Sequence, residues 1–239
     1  MELNSDNLSD FVKNVEILKN GETIKFSIQA IPKDRYDEAT DHMCKFFIAD
    51  EPVFESENVK NDPVAMNEMR NIFSKVLNDN LSLGAFFNNP NGEKSILAGM
   101  NVLYIGGKNG KNYFGESFKS EKIKKIMDIL NILSENIDTK KLYDSDNYIG
   151  GFGLSVEPTY RGNAIGYHLL MARNEFGKRL NIFSSVTIFT SSASIKLAYR
   201  AGFEVLLEKR NDELIDENKQ LLIPTCKTTI FKTMGKKLI

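Results

Sequence analysis

Cysteine, net charge and long apolar runs are all scarce in this chain, and each scarcity removes a class of function. The 239 residues hold two cysteines, Cys44 and Cys226, far apart and without metal-ligand spacing. That count argues against a disulfide framework and a zinc site, so both are expected as reduced thiols and no metal is expected. Lys and Arg total 31 against 32 Asp and Glu, a formal charge of -1. At that balance there is no overall electrostatic footprint for nucleic acid or for an anionic membrane, and any anion site has to be local. The most apolar stretch, "ILAGMNVLYIGG", is well short of the roughly 20 apolar residues a membrane span needs and reads as a buried strand. The polar, acidic start "MELNSDNLSD" has no apolar leader segment, which makes a cytoplasmic location the expectation, with a monomer as the expected state.

A hydrophobic fraction of 41% with 16 Phe and 8 Tyr is enough for a sizeable core. With no repeat, low-complexity tract or linker, one α/β domain is expected. "IKFSIQAI" alternates apolar and polar residues as a half-buried strand does. Two helices follow, one through Tyr36, Ala39, Met43, Phe46 and Phe47 to about Asp50, the next capped by Asp62 before Pro63. "SLGAFFNN" and "KSILAGMNVLYIGG", joined by "NPNG", predict a hairpin. A long amphipathic helix with Ser120 as cap comes next, then the strand "GGFGLSVEP". A helix with Ile165, Leu169, Ala172, Phe176 and Leu180 on one stripe leads to the strand "SSVTIFT". The short helix "SASIKLAYRAG" and the strands "FEVLLEKR" and "TCKTTIFKTM" complete the order.

The turn "RGNAIG" between strand and helix is the most informative stretch. Asn163 is expected to cap the helix, whose first amides lack intrahelical partners. Gly162 and Gly166 let a ligand approach the backbone, and Arg161 adds a charge for phosphate. Six residues alone fit either an anion cradle or a backbone turn. The dinucleotide fingerprint fails, because the glycines of "GGFGLS" fall before or inside the strand, and "GGKNGK" lacks the spacing and Ser/Thr of a Walker A loop.

"GLSVEPTYRGNAIGYHLL" resembles the acyl-CoA-binding motif of the GNAT superfamily, Q/R-x-x-G-x-G/A, through Arg161, Ala164 and Gly166. Ala164 departs from the usual middle glycine, and its Cβ makes close backbone approach less free. "SSVTIFTSSASIKLAYRAGFEV" resembles the segment that completes the family's cofactor cleft. The resemblance implies a GNAT fold, a central mixed, twisted sheet flanked by helices. It divides into an acceptor half over about 24–110 and an acyl-CoA half over about 148–239. It also implies acetyl-CoA as co-substrate. Leu154 and Val156 would offer backbone groups to its pantetheine arm, and Arg161, Gly162, Asn163, Ala164, Ile165 and Gly166 would hold the pyrophosphate.

Acetyl transfer to an amine needs a base, since a primary alkylamine with a pKa of ~10.4 is almost fully protonated at neutral pH. From spacing alone, Asp50 and Glu51 are either solvated residues at a helix exit or a carboxylate held against apolar surface. "DEP" resembles the segment carrying the catalytic glutamate of insect arylalkylamine N-acetyltransferases, which assigns Glu51 as base. By the same resemblance Ser194 is a candidate helper and Thr190 a substrate contact, though hydroxyls in "TSSASIK" equally suit a helix cap. Phe46 and Phe47 are candidates to face an aryl or cationic amine. Ala198 stands where many of these enzymes place an acid tyrosine, and Tyr199 is read as packing or surface. His42 and His168 are assigned no role. The expected acceptor is an arylalkylamine, with a polyamine such as agmatine, a protein N-terminus, or non-catalytic acyl-CoA binding as alternatives.

Overall fold

The computed structural model describes residues 8, 10–111, 113 and 117–238. Strands β1 (Val12–Lys19) and β2 (Glu22–Ala30) form a hairpin around Asn20–Gly21, both at positive φ. The helical region that follows is broken. α1 (Tyr36–His42) runs into a π turn over Met43–Phe47 and the short α2 (Ile48–Asp50), and α3 (Pro52–Ser56) restarts at the proline. Pro52 therefore ends one helix by lacking an amide hydrogen and begins the next, where that hydrogen is not needed. α4 (Pro63–Leu77) starts on an Asp62 cap, its carboxylate accepting from Val64 and Ala65 N–H at 3.1 Å.

β3 (Leu83–Phe87) and β4 (Ile96–Gly107) form the expected hairpin. After α5 (Glu121–Ser134) and α6 (Thr139–Tyr143) come β5 (Asn147–Val156), α7 (Ile165–Leu180), β6 (Ser184–Phe189), α8 (Ser192–Arg200), β7 (Glu204–Arg210) and β8 (Ile230–Lys237). The eight strands make one sheet in the order β1-β2-β3-β4-β5-β6-β8-β7. Every pairing is antiparallel except β5 with β6. The hairpin β1–β2 was legible in "NG", the strongest short hairpin signal, yet β1 was not anticipated. The last strand begins at Ile230, later than "TCKTTIFKTM" suggests, and inserts between β6 and β7.

Helices α1 to α5 cover one face of the sheet and α7 the other. The stripe on α7 behaves as its spacing requires: Ile165, Leu169, Ala172, Phe176 and Leu180 are all buried. Each large apolar side chain removed from water there stabilises the packing by about 1.5–3 kcal/mol. The same stripe carries Arg173, one helical turn after Leu169, and it too is fully buried. No helix among the described residues is long and apolar enough to cross a membrane.

One feature of this sheet positions the site. β5 and β6 pair only over Ile149↔Ser185, Gly150↔Val186 and Gly151↔Thr187, and then part. β5 continues to Val156 bonded to β4 alone, and β6 continues to Phe189 bonded to β8 alone. The facing backbone edges in this fork have no strand partner, so their N–H and C=O groups are satisfied by other groups, as Val156 O is by Arg161 Nε at 2.9 Å, or are left for a ligand.

Candidate active site

Glu51 stands beyond the fork, between α2 and α3, and is 9% exposed. Its extended backbone makes it the N-cap of α3. Oε2 accepts from Val53 and Phe54 N–H, both at 2.9 Å, and Oε1 accepts from the Thr190 hydroxyl one residue past β6. The carboxylate thus ties α3 to the end of β6. Burial pushes its pKa above the ordinary carboxylate range, against the three donors, which favour the ionised form. A base whose affinity for protons is raised while its position is fixed suits proton abstraction near neutral pH.

The surroundings of Glu51 are closed by a distant segment that the sequence did not announce. Thr225 Oγ1 donates to Ser56 O at 3.1 Å, Cys226 Sγ lies 3.6 Å from Pro52 O, and Lys227 pairs with Glu55 at 2.8 Å. Phe47 packs edge-on against Phe54 and Phe73 and covers Gly153 of β5, so it belongs mainly to the core. Phe46 is half-buried, edge-on to the His42 ring with centroids 4.9 Å apart. Ser194 is occupied elsewhere. It forms a capping box with Ser191 at the start of α8, its amide donating to Ser191 Oγ at 3.1 Å and its hydroxyl to Ser191 O at 2.9 Å. Tyr199 is an exposed surface residue, 49% accessible, as its helical position implies.

His42 is 5% exposed and its Nε2 sits 3.1 Å from Ser155 Oγ on β5. Sequence reasoning left this pair out, although His42 shares the inward face of α1 with Ala39. Burial lowers its pKa to about 4, so it is neutral in the fold at pH 7. An unfolded histidine takes its proton near ~6.5, hence the unfolded chain binds more protons between about 6.5 and 4 and stability falls as pH drops through that window. The loss approaches about 3 kcal/mol. His42→Gln is expected to flatten the decline of Tm over this range, measured by thermal melts in buffers of matched ionic strength.

At the other end of the fork, the loop before α7 departs from expectation in one detail. Asn163 does not cap the helix, because its Oδ1 accepts from Lys19 Nζ at 2.8 Å. The N-cap is Ala164, at φ 54°, with no side-chain cap at all. Gly162 is also left-handed, at φ 78°. The first amides of α7 are therefore open to an anion, with Lys19 and Arg161 on either side. Arg161 pairs with Asp50, the neighbour of Glu51, and its Nε donates to Val156 O at 2.9 Å. Both ends of that ion pair are about half exposed, so it adds about 0–1 kcal/mol. Gly166 faces Leu197 of α8 and allows the two helices to approach. Alanine in the left-handed region is strained by about 1–2 kcal/mol, partly offset by the greater chain entropy of glycine when unfolded. Ala164→Gly is expected to raise Tm by about 1–4 °C in a calorimetric scan.

Leu154 and Val156 lie on the stretch of β5 beyond its last pair with β6, and Thr190, which bonds Glu51, follows the end of β6. Among the described residues no group of three or more His, Cys, Asp and Glu could hold a metal. An open depression lined by Lys108, Asp138, Thr139 and Asp146 lies at the opposite end of β5, beside Asn147, remote from Glu51.

No protein-family profile matches the chain, and no curated protein matches it significantly. Solved structures do. A protein of the yellow fever mosquito Aedes aegypti, named for arylalkylamine N-acetyltransferase 7, superposes with a TM-score of 0.83 at 25% identity, covering 96% of this chain and 94% of its own. Arylalkylamine N-acetyltransferase 2 of the same species gives 0.76 at 22% identity, covering 90% and 99%. A Drosophila melanogaster polyamine N-acetyltransferase that forms N-acetylagmatine gives 0.74 at 14% identity, covering 89% and 100%. The forked mixed sheet between two helical layers is thus the GNAT fold, and within it this chain resembles the insect arylalkylamine N-acetyltransferases.

Proposed function

We propose that this chain transfers the acetyl group of acetyl-CoA to a small primary amine, specifically an arylalkylamine of the dopamine, serotonin or tryptamine type. The observation that carries the reading is the buried Glu51 carboxylate, fixed by two amides and one hydroxyl beside the fork of β5 and β6. The loop before α7 fits a phosphate ligand: its helix end is uncapped, its backbone is left-handed at Gly162 and Ala164, and Lys19 and Arg161 flank it. Arg161, Gly162, Asn163, Ala164, Ile165 and Gly166 would hold the pyrophosphate, and the edge of β5 at Leu154 and Val156, which no strand pairs on that side, the pantetheine arm. When bound, acetyl-CoA supplies an acyl group activated as a thioester.

The ammonium gives its first proton to solvent water, and Glu51 takes the second, directly or through water, as the neutral amine attacks the thioester. Thr190 orients the carboxylate, and Ser194 fixes the turn that follows Thr190. Backbone N–H groups around Val156 favour the negative charge that develops on the carbonyl oxygen. Phe46 offers an aromatic face to an aryl or cationic group. A diamine such as agmatine would favour a free carboxylate at the far end of the pocket. The carboxylate of Glu55 on α3 is already engaged by Lys227, which supports the aryl acceptor.

Thiol release from acetyl-CoA, followed with tryptamine, dopamine, agmatine, spermidine and a short peptide, tests the reading. Turnover of an arylalkylamine, lost in Glu51→Ala, is the expected result. Preference for agmatine or spermidine overturns the acceptor assignment, and tight acetyl-CoA binding without any amine-dependent release favours a binding module.

A further inference from the structure

The fork of β5 and β6 has a positive charge at its root. Arg173 reaches there from α7 with 0% exposure, and among the described residues the side chains it bonds are neutral. Nε and Nη2 donate to Asn101 Oδ1 on β4 at 3.0 and 2.8 Å. Nη1 donates to Ser185 Oγ and Thr187 Oγ1 on β6 at 2.9 and 2.7 Å. On β5 the guanidinium occupies the space a side chain would need, since a Cβ on Gly151 would stand 2.5 Å from Nη2. Gly151 and Thr187 are the last paired residues before the strands part.

Among the described residues no carboxylate pairs with Arg173, and the one ionisable group acting on it is the Tyr104 phenol. Burial raises the Tyr104 pKa, so it stays neutral. Burial also pulls the guanidinium down to about 9, which leaves it charged at neutral pH. Desolvating such a group is costly, and a carboxylate partner is the common remedy. Hydroxyls and an amide satisfy its hydrogen bonds here without cancelling its charge. Nearby, the arginine lies 5.8 Å over the Phe203 ring, which packs in one cluster with Ala198, the residue standing where the resemblance would put an acid tyrosine.

We propose that Arg173 is a positioning residue for the leaving group: its uncancelled charge at the root of the fork stabilises the coenzyme A thiolate and replaces a general acid. The inference rests on the acetyltransferase reading. In the transfer the amine nitrogen bonds to the acetyl carbon, the carbon–sulfur bond breaks with both electrons left on sulfur, and the amine proton passes to Glu51. Sulfur then needs no proton at that moment, only a favourable field. Three residues of extended strand, from Gly151 to Leu154, span about 10 Å. A unit charge at that distance, with an effective dielectric constant of about 20, favours the thiolate roughly tenfold.

The test is a pH titration of the ultraviolet absorbance of the thiolate of coenzyme A bound to the full chain, native and with Asn101→Asp or Arg173→Met. Asn101→Asp keeps the arginine in place as a strut while setting a carboxylate against it, so folding and charge are separated. The native protein is expected to ionise the bound thiol roughly tenfold more than free coenzyme A ionises at equal pH. Both variants are expected to return it to the free value, with Asn101→Asp folded as judged by circular dichroism. A bound thiol that titrates like free coenzyme A in the native protein, or identically in Asn101→Asp and native protein, overturns the inference while leaving the acetyltransferase reading intact. Coenzyme A that fails to bind overturns both.

Discussion

Glu51→Gln is expected to lower kcat/KM for the preferred amine by about 10²–10⁴-fold, the usual contribution of a positioned general base, with little effect on folding. Glutamine keeps an oxygen able to accept from Val53 and Phe54 N–H and a polar end near Thr190, so α3 retains its cap. Glu51→Ala should lose the same activity and also about 1 kcal/mol of stability, because the cap is gone and the Thr190 hydroxyl loses its acceptor. Comparing the two separates proton transfer from scaffolding. The native acid limb is also informative. Burial raises the Glu51 pKa, so the base is protonated below that raised value and kcat/KM should climb as pH rises through it. In Glu51→Gln that limb should vanish. Equal pH profiles in native enzyme and Glu51→Gln would remove Glu51 from the chemistry.

Arg173→Ala is expected to destabilise the fold by about 3–5 kcal/mol, a fall in Tm of about 6–20 °C, read by thermal or urea melts. Two effects add. The truncation leaves a cavity between α7 and the sheet, and it strips Asn101 Oδ1 of both donors and Ser185 and Thr187 of one each. The double variant Arg173→Met, Asn101→Leu should recover much of this loss, because replacing both members of a buried polar pair with apolar groups removes the desolvation penalty along with the bonds. If the double variant is as unstable as Arg173→Ala, the network's shape matters more than its polarity. Either outcome is separate from the thiol titration, which reads charge and not stability.

Much of the fold was legible because local rules act on neighbouring residues. The stripe on α7, the "NPNG" hairpin and the Asp62 and Ser120 caps are decided within a few residues by periodicity and by orphan amides. The π turn at Met43–Phe47 was not, since nothing in the local pattern separates i→i+5 from i→i+4 bonding. Asn163 illustrates the reverse failure. Its residue type suits a cap, but Lys19, from the far hairpin, competes for its oxygen and wins. Arg173 could have been placed indoors from its position four residues after Leu169, yet its partners lie on β4 and β6, out of reach of any sequence pattern.

By itself the sequence determined the order of strands and helices from β2 onward, the short α2, α3 and α6 apart, and the glycine-bearing turn before α7. These follow from side-chain period, turn chemistry and motif spacing, all short-range. Only the tertiary structure decided that β5 and β6 part after Gly151, that Thr190 meets Glu51 across 139 positions of chain, and that Arg173 stands uncompensated at the fork. Burial and hydrogen bonding between distant strands set these features, and both depend on which groups lose water when the sheet assembles.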